Sequence, residues 1–378
     1  MFFFSIALFA IIGTYIFWQF INLFYWWQII APKEEEETNT NWPSVNIIVP
    51  ARNEAEQLPL LLKDLLKLDY PSDLLTITVV DDFSEDETAE VVKRYPKVKL
   101  LQLSDHVKDP ASIAAHKKTA LTYAISQTDT EIIVTTDADC RWHPKSLKAL
   151  LASWKEEQFR SGPVLIEEGN RFFAGFQSLD MLSYMFLTGS YAARKNPILA
   201  NGANLAVSRS LFKQIDGYAG VDHIASGDDV LLLHKLVELG YVEKVQFIPD
   251  RGAVVETQAA PSWRAFWRQR LRWAGKTGNY KNSALSWAQG ISFLASAALV
   301  LGLVLSLFDP RLLTITALAW VFKMGCDGFI LNELCRYYDR KEDFRWYLPS
   351  ALVYPFYLLA IGMAALVGVK SRWKGRNL

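Results

Sequence analysis

Two carboxylates one residue apart, Asp137 and Asp139, follow directly on the apolar run Ile132-Ile133-Val134. Side chains of an extended chain alternate, so both acids project to one side and could share a divalent cation through oxygen ligands, with phosphates completing the shell. Acids at a strand end also cap helices and turns, so the pair alone decides nothing. Other polar clusters stand in comparable places. Asp81-Asp82 follows Thr76–Val80, and Ala51-Arg52-Asn53-Glu54 follows Val45–Val49 and Pro50. Further on come Lys117-Lys118, Asn201-Gly202-Ala203-Asn204, Ser226-Gly227-Asp228-Asp229 and Gln269-Arg270-Leu271-Arg272-Trp273.

The elements that must position these groups are legible as strands alternating with helices. Strands are expected at 45–49, 76–80, 98–103 and 131–136. Leu58, Leu61, Leu62, Leu65 and Leu66 recur at helical spacing between the first two. Such alternation implies a mostly parallel sheet covered by helices, with its polar strand ends on one edge. Equal numbers of basic and acidic residues, 40 each, argue against a general nucleic-acid-binding role. The three cysteines have neither metal nor disulfide spacing.

The membrane accounts for much of the 51% hydrophobic composition. Phe2 to Ala31 has no charge, and about 20 apolar residues cross a bilayer. Without a basic start or a small-residue cleavage site it reads as an uncleaved anchor, with Tyr25, Trp26 and Trp27 as an interfacial belt. Lys33 to Asn41 is an acidic linker. Leu285–Phe308 and Trp346–Val369 also lack charge, whereas Leu312–Cys335 carries Lys323, Asp327 and Glu333, which should face protein or a wet path. Three C-terminal crossings leave Lys370, Arg372, Lys374 and Arg376 outside, against the positive-inside rule. Full crossing of the middle segment is nevertheless the expectation.

Val45-Asn46-Ile47-Ile48-Val49-Pro50-Ala51-Arg52-Asn53-Glu54, the 79–88 stretch around Asp81-Asp82, Asp137-Ala138-Asp139, Ser226-Gly227-Asp228-Asp229 and Gln269-x-x-Arg272-Trp273 fall in an order that resembles family 2 glycosyltransferases of the GT-A fold. The last motif is similar to that of membrane-bound synthases of cellulose, chitin and hyaluronan and of related lipid-modifying transferases. The likeness covers roughly residues 45 to 275. It implies a Rossmann-like α/β catalytic domain over 43–260, with a transmembrane anchor at 1–32. An amphipathic interface helix over 261–284 and a membrane region of about three helices over 285–378 complete the chain. The implied activity is inverting transfer from a nucleotide sugar, a UDP-sugar above all, to a membrane lipid or membrane-proximal glycan.

By the same resemblance Glu54 and Asp82 border the base and ribose, and Lys117 or Lys118 approaches the nucleotide. Asp137 and Asp139 hold Mg or Mn, while Asn201, Gly202 and Asn204 lie below the donor sugar and acceptor. Asp229 is the general base, with Asp228 beside it. Gln269, Arg272 and Trp273 close the site at the diphosphate and acceptor. At 100° per residue, Trp263, Phe266, Trp267, Leu271 and Ala274 share an arc expected to face lipid, interrupted only by Arg270. Gln269, Arg272, Trp273 and Lys276 share the other. The implied location is the inner or plasma membrane with the catalytic domain facing the cytoplasm; no nucleic-acid partner is expected and no protein partner is specified. A processive polysaccharide synthase remains open, as do a nucleotidyltransferase, disfavoured by the glycine-free loop after the first strand, and a non-catalytic membrane subunit.

Overall fold

The computed structural model describes residues 2–31, 41–274, 282–367, 372–373 and 376–377. Most of the acidic linker, Lys276, Lys370 and Lys374 lie outside the described residues. The chain divides into two compact units. One comprises 1–28, 166–190 and 259–378; the other comprises 29–165 and 191–258. The division expected from sequence differs in one respect. Residues 166–190 belong with the helical unit, because they form most of a long helix, Phe172–Ala193, that none of the expected elements included.

In the α/β unit the strands are β1 (Val45–Ala51), β2 (Leu75–Asp81), β3 (Val98–Gln102), β4 (Ile132–Thr135), β5 (Cys140–Trp142), β6 (Phe159–Ser161), β7 (Val164–Ile166), β8 (Leu205–Ser208), β9 (Val245–Phe247) and β10 (Val255–Thr257). Seven of them make one sheet in the order β3-β2-β1-β4-β8-β6-β9, and β5-β10-β7 make a smaller one. β3, β2, β1 and β4 run parallel, while β8 is antiparallel to β4 and β6. Alternation along β1 explains why both faces are covered. Ile47 and Val49 pack with Leu58, Leu61, Leu62 and Leu65 of the helix Leu58–Leu65. Ile48 instead joins Ala120, Leu121, Ala124 and Ile125 of the helix His116–Ser126. β1 continues through Pro50, where sequence placed its end. Pro50 lies past the last β1–β4 pair, Ile48↔Thr135, so its missing N–H interrupts no bond on that side.

Among the described residues, four helices are long and apolar enough to cross a membrane: Phe2–Ile30, Ser283–Leu305, Arg311–Tyr337 and Tyr347–Leu366. The middle C-terminal segment is one 27-residue helix, about 40 Å at 1.5 Å per residue. Two of the three charges expected to face inward do so: Lys323 pairs with Asp327, which also accepts from the Tyr15 hydroxyl at 2.9 Å, while Glu333 is half-buried. The aromatic belt is only partly one. Trp26 is buried among Phe186, Tyr337 and Tyr338, whereas Trp27 is exposed.

Candidate active site

The parallel strands deliver their C-terminal ends to one edge of the sheet, the place where open α/β sheets bind ligands. At the end of β2, Asp82 is buried and its Oδ1 lies 2.7 Å from His116 Nδ1. The neighbouring loop is stitched to it. Arg52 donates to the carbonyls of Asp82 and Phe83, Asn53 exchanges hydrogen bonds with Ser84 and Glu85, and Glu54 N donates to Thr88 Oγ1 at 2.8 Å. Asn53 and Phe83 hold left-handed backbone at φ 52° and 53°, which these cross-links support. Asp81 is a second acceptor here. Burial raises its pKa, and its Oδ1 has no hydrogen-bond partner among the described residues.

The centre of the constellation is Lys117. Its ammonium lies 2.8 Å from Asp137 Oδ1 and 3.0 Å from Asp228 Oδ2, joining the end of β4 to the first turn of the helix Asp228–Glu238. Burial alone would lower its pKa, but Asp137, Asp228 and Asp229 hold it well above the ordinary lysine value. Gly227, at φ 77°, turns the chain into that helix, whose N-terminal dipole favours the two acids. Asp229 accepts from Gly202 N at 3.0 Å through Oδ2 and from Val230 N at 2.7 Å through Oδ1. Thr135 donates to the Gly202 carbonyl at 2.7 Å. Gly202 is thereby clamped from both sides. A Cβ there would lie 2.9 Å from Asp228 Oδ2 and 3.3 Å from Lys117 Nζ.

Lys118 resolves what the sequence left open, because both lysines point inward to different partners. Its ammonium donates to the carbonyls of Val221, Ile224 and Ser226, fixing the loop that leads to Asp228. Burial lowers its pKa to about 8 against the pull of Asp228, Asp229 and Asp222, so it keeps its proton at neutral pH.

Asn204 departs from the expectation of a sugar contact. It is fully buried, and its Nδ2 donates to the carbonyls of Pro163 and Ala253, while its Oδ1 has no hydrogen-bond partner among the described residues. Asn201 is half-buried and accepts from Ala203 N at 3.1 Å, shaping the turn around Gly202. Sequence reasoning missed His116 and Thr135. The signal for His116 was its place at the start of the helix that carries Lys117; Thr135 gave none beyond its strand position.

Asp137 and Asp139 are both part-exposed at the β4 end. Their donor set is hard and oxygen-only, which suits Mg or Mn. Among the described residues no three His, Cys, Asp or Glu side chains gather as a metal shell, so the remaining ligands would come from substrate oxygens and water.

In the helical unit, Trp263–Ala274 carries the Gln-x-x-Arg-Trp residues. Gln269, Arg272 and Trp273 are all half-buried. The arc expected to face lipid packs largely on protein. Phe266 and Leu271 are buried with Phe176, Tyr357 and Ile361, and Trp267 packs against that cluster. Arg270 belongs to that arc for a reason: its Nη2 lies 2.7 Å from Asp180 Oδ2, both side chains fully buried. Its guanidinium also lies 4.2 Å from the Trp273 ring centroid, occupying one face of that ring.

A family model described as glycosyl transferase family 2 matches residues 46–215, and one described as glycosyl transferase family group 2 matches residues 132–364, more than half of the chain. The chain belongs to this family. A family 2 relative, the probable glycosyltransferase YdaM of Bacillus subtilis, is 26% identical over 61% of the chain and 54% of its own length. The family 2 chain is also 26% identical to a beta-monoglucosyldiacylglycerol synthase of Nostoc, over 67% of this chain and 52% of the synthase. It spans about half the length of the curated relatives it matches. Its fold is GT-A. A mannosyltransferase from Pyrobaculum calidifontis, solved with GDP-mannose and Mn2+, superposes with a TM-score of 0.52 at 22% identity, covering 93% of this chain and 97% of its own.

Proposed function

We propose that the chain is a membrane-anchored, divalent-cation-dependent, inverting glycosyltransferase that moves a sugar from a UDP-sugar to a membrane lipid or membrane-proximal glycan, working at the cytoplasmic face. The observation that carries this reading is the convergence of Asp137 and Asp228 on the Lys117 ammonium, with Asp229 bonded to Gly202 beside them. Segments 20 or more residues apart in sequence meet there, which supports reading a cation-holding edge beside a candidate base. The synthase relative bears a lipid glycosylation name, which favours a lipid acceptor.

In this reading Asp82, oriented by His116, accepts from the ring N–H of the base, and Glu54 lies along the ribose. Asp137 and Asp139 would hold the cation, which when bound offsets the charge gathering on the departing diphosphate. Asp229 takes the proton as the acceptor oxygen attacks the anomeric carbon from the face opposite the breaking C–O bond. Its two backbone N–H contacts fix the carboxylate in direction, and Lys117 balances Asp228 beside it. Gln269, Arg272 and Trp273 keep their expected nucleotide role on the family resemblance alone.

The test is nucleotide release by the full chain in detergent against a panel of UDP-sugars and a membrane lipid extract. One sugar should give release together with a glycolipid of matching mass, and chelation of divalent cations should abolish both. Release with no dependence on cation, or none with any sugar and lipid, contradicts the reading.

Gly202→Ala supplies a local check. The added methyl presses on the Asp228–Lys117 pair, and a displacement of about 1 Å at a reacting centre can cost about 100-fold. A kcat lower by roughly 10- to 100-fold, with thermal stability nearly kept, is expected from steady-state kinetics. An unchanged kcat would remove Gly202 from the site.

A further inference from the structure

The helical unit contains a cavity of about 100 Å³, with polar groups set in a largely apolar wall, that no step above uses. Lys323, Asp327, Tyr15, Asp180, Tyr354 and Ser350 are among the residues lining it. At roughly 10–15 Å³ per water-sized probe it is much larger than a single buried water requires. Ser350 is 6% exposed and its Oγ has no hydrogen-bond partner among the described residues. The same holds for Gln19 Oε1, while Gln19 Nε2 donates to Tyr15. Buried polar atoms left unpaired in an apolar surrounding are costly, so a ligand with hydroxyl groups is the natural complement.

The charges in the cavity wall are matched. Lys323 faces Asp327, and Asp180 is held by Arg270 and by the Tyr354 hydroxyl at 3.2 Å. An anionic headgroup would meet no unmatched cation there. A neutral polyol meets donors and acceptors together.

One wall adjoins an apolar groove. Trp18 lines the cavity and stacks on Trp287 with ring centroids 6.2 Å apart. Trp287 in turn lines an apolar groove of about 540 Å³ with Ala10, Ile11, Gly290, Ile291 and Leu294. Gly290 faces open space, since a Cβ there would meet nothing within 4 Å.

We propose that this unit binds one neutral, hydroxyl-bearing lipid, its headgroup in the cavity and a hydrocarbon chain in the groove beyond the Trp18–Trp287 stack. The site deepens the lipid-acceptor reading by naming the lipid class, and rests on that reading only for what is later done to the lipid. Its occupant is either an unglycosylated lipid or its glycosylated product, both neutral and hydroxylated.

The experiment uses the full chain in nanodiscs of dioleoylphosphatidylcholine doped with 1,2-dioleoylglycerol, with its β-glucosylated form, or with dioleoylphosphatidate. Lipid retained after detergent extraction and exchange is measured by mass spectrometry. Either neutral lipid should be enriched about tenfold over its bulk share, which is 1.4 kcal/mol of preference, and phosphatidate should not. Enrichment of dioleoylglycerol identifies a substrate-like occupant, and of the glucolipid a product-like one; each supports the site. Ser296→Met fills the cavity without orphaning a partner, because the Ser296 hydroxyl bonds only back to the Ser292 carbonyl of its own helix. Gly290→Phe fills the groove where there is space. Both should lose the enrichment. Equal enrichment of phosphatidate, no enrichment of either neutral lipid, or enrichment undiminished in both variants overturns the proposal. The readout needs no sugar donor. A chain that retains the neutral lipid yet never releases nucleotide keeps this site and loses the transferase reading, and the reverse pattern does the opposite.

Discussion

Asp229→Asn is expected to lower kcat by roughly 10³-fold, within the 10²–10⁴ that a positioned general base contributes, while UDP affinity changes little. The carboxylate uses both oxygens, one for Val230 N at 2.7 Å and one for Gly202 N at 3.0 Å. An amide can offer only one oxygen, so one of these N–H groups is left facing a donor. That mismatch costs about 1–3 kcal/mol and tilts either the helix start or the Gly202 turn. Single-turnover kinetics beside a UDP titration separates the two effects. If kcat falls less than tenfold, another group takes the proton, and Asp228 comes next in line.

Arg270→Met should destabilise the helical unit by about 3–5 kcal/mol, because it strands the Asp180 carboxylate in a buried setting. Burial already raises the Asp180 pKa, with the arginine opposing that effect. The double variant Asp180→Leu, Arg270→Met should recover most of the loss. Its residue is the Tyr354 hydroxyl, which then has no carboxylate to meet. Thermal unfolding in one fixed detergent checks this. A single variant as stable as the parent would show that the pair does not hold the Gln-x-x-Arg-Trp helix in place.

Those two side chains also mark where sequence reading runs out. On a helical projection Arg270 looked like an interruption of an apolar arc. Its partner Asp180 lies 90 positions earlier, in a helix that alternating strands and helices gave no reason to expect. A pairwise buried charge leaves no periodic trace. The sheet was legible because the parallel strands are short, mostly apolar runs, three of them followed by acidic or polar clusters. Its ends were blurred at Pro50 and Leu103, where local propensity competes with pairing. Among the site residues, Asp82, Asp137, Asp228 and Asp229 could be placed from strand and helix ends. Lys117 and Lys118 could not be ordered, since adjacent helical residues point about 100° apart and both directions proved to be inward. Asn204 misled for the opposite reason. A polar side chain beside a glycine suggested ligand contact, yet two carbonyls close by take both donors of its Nδ2.

The most direct measurement is a calorimetric titration of the full chain with UDP, with and without Mn2+, in the parent and in Asp137→Asn. Micromolar binding that needs the cation and weakens at least about tenfold in the variant is the expected result, the loss of one ligand oxygen charge. Equal affinity with and without Mn2+, or in parent and variant, would contradict a nucleotide-diphosphate site built on Asp137 and Asp139.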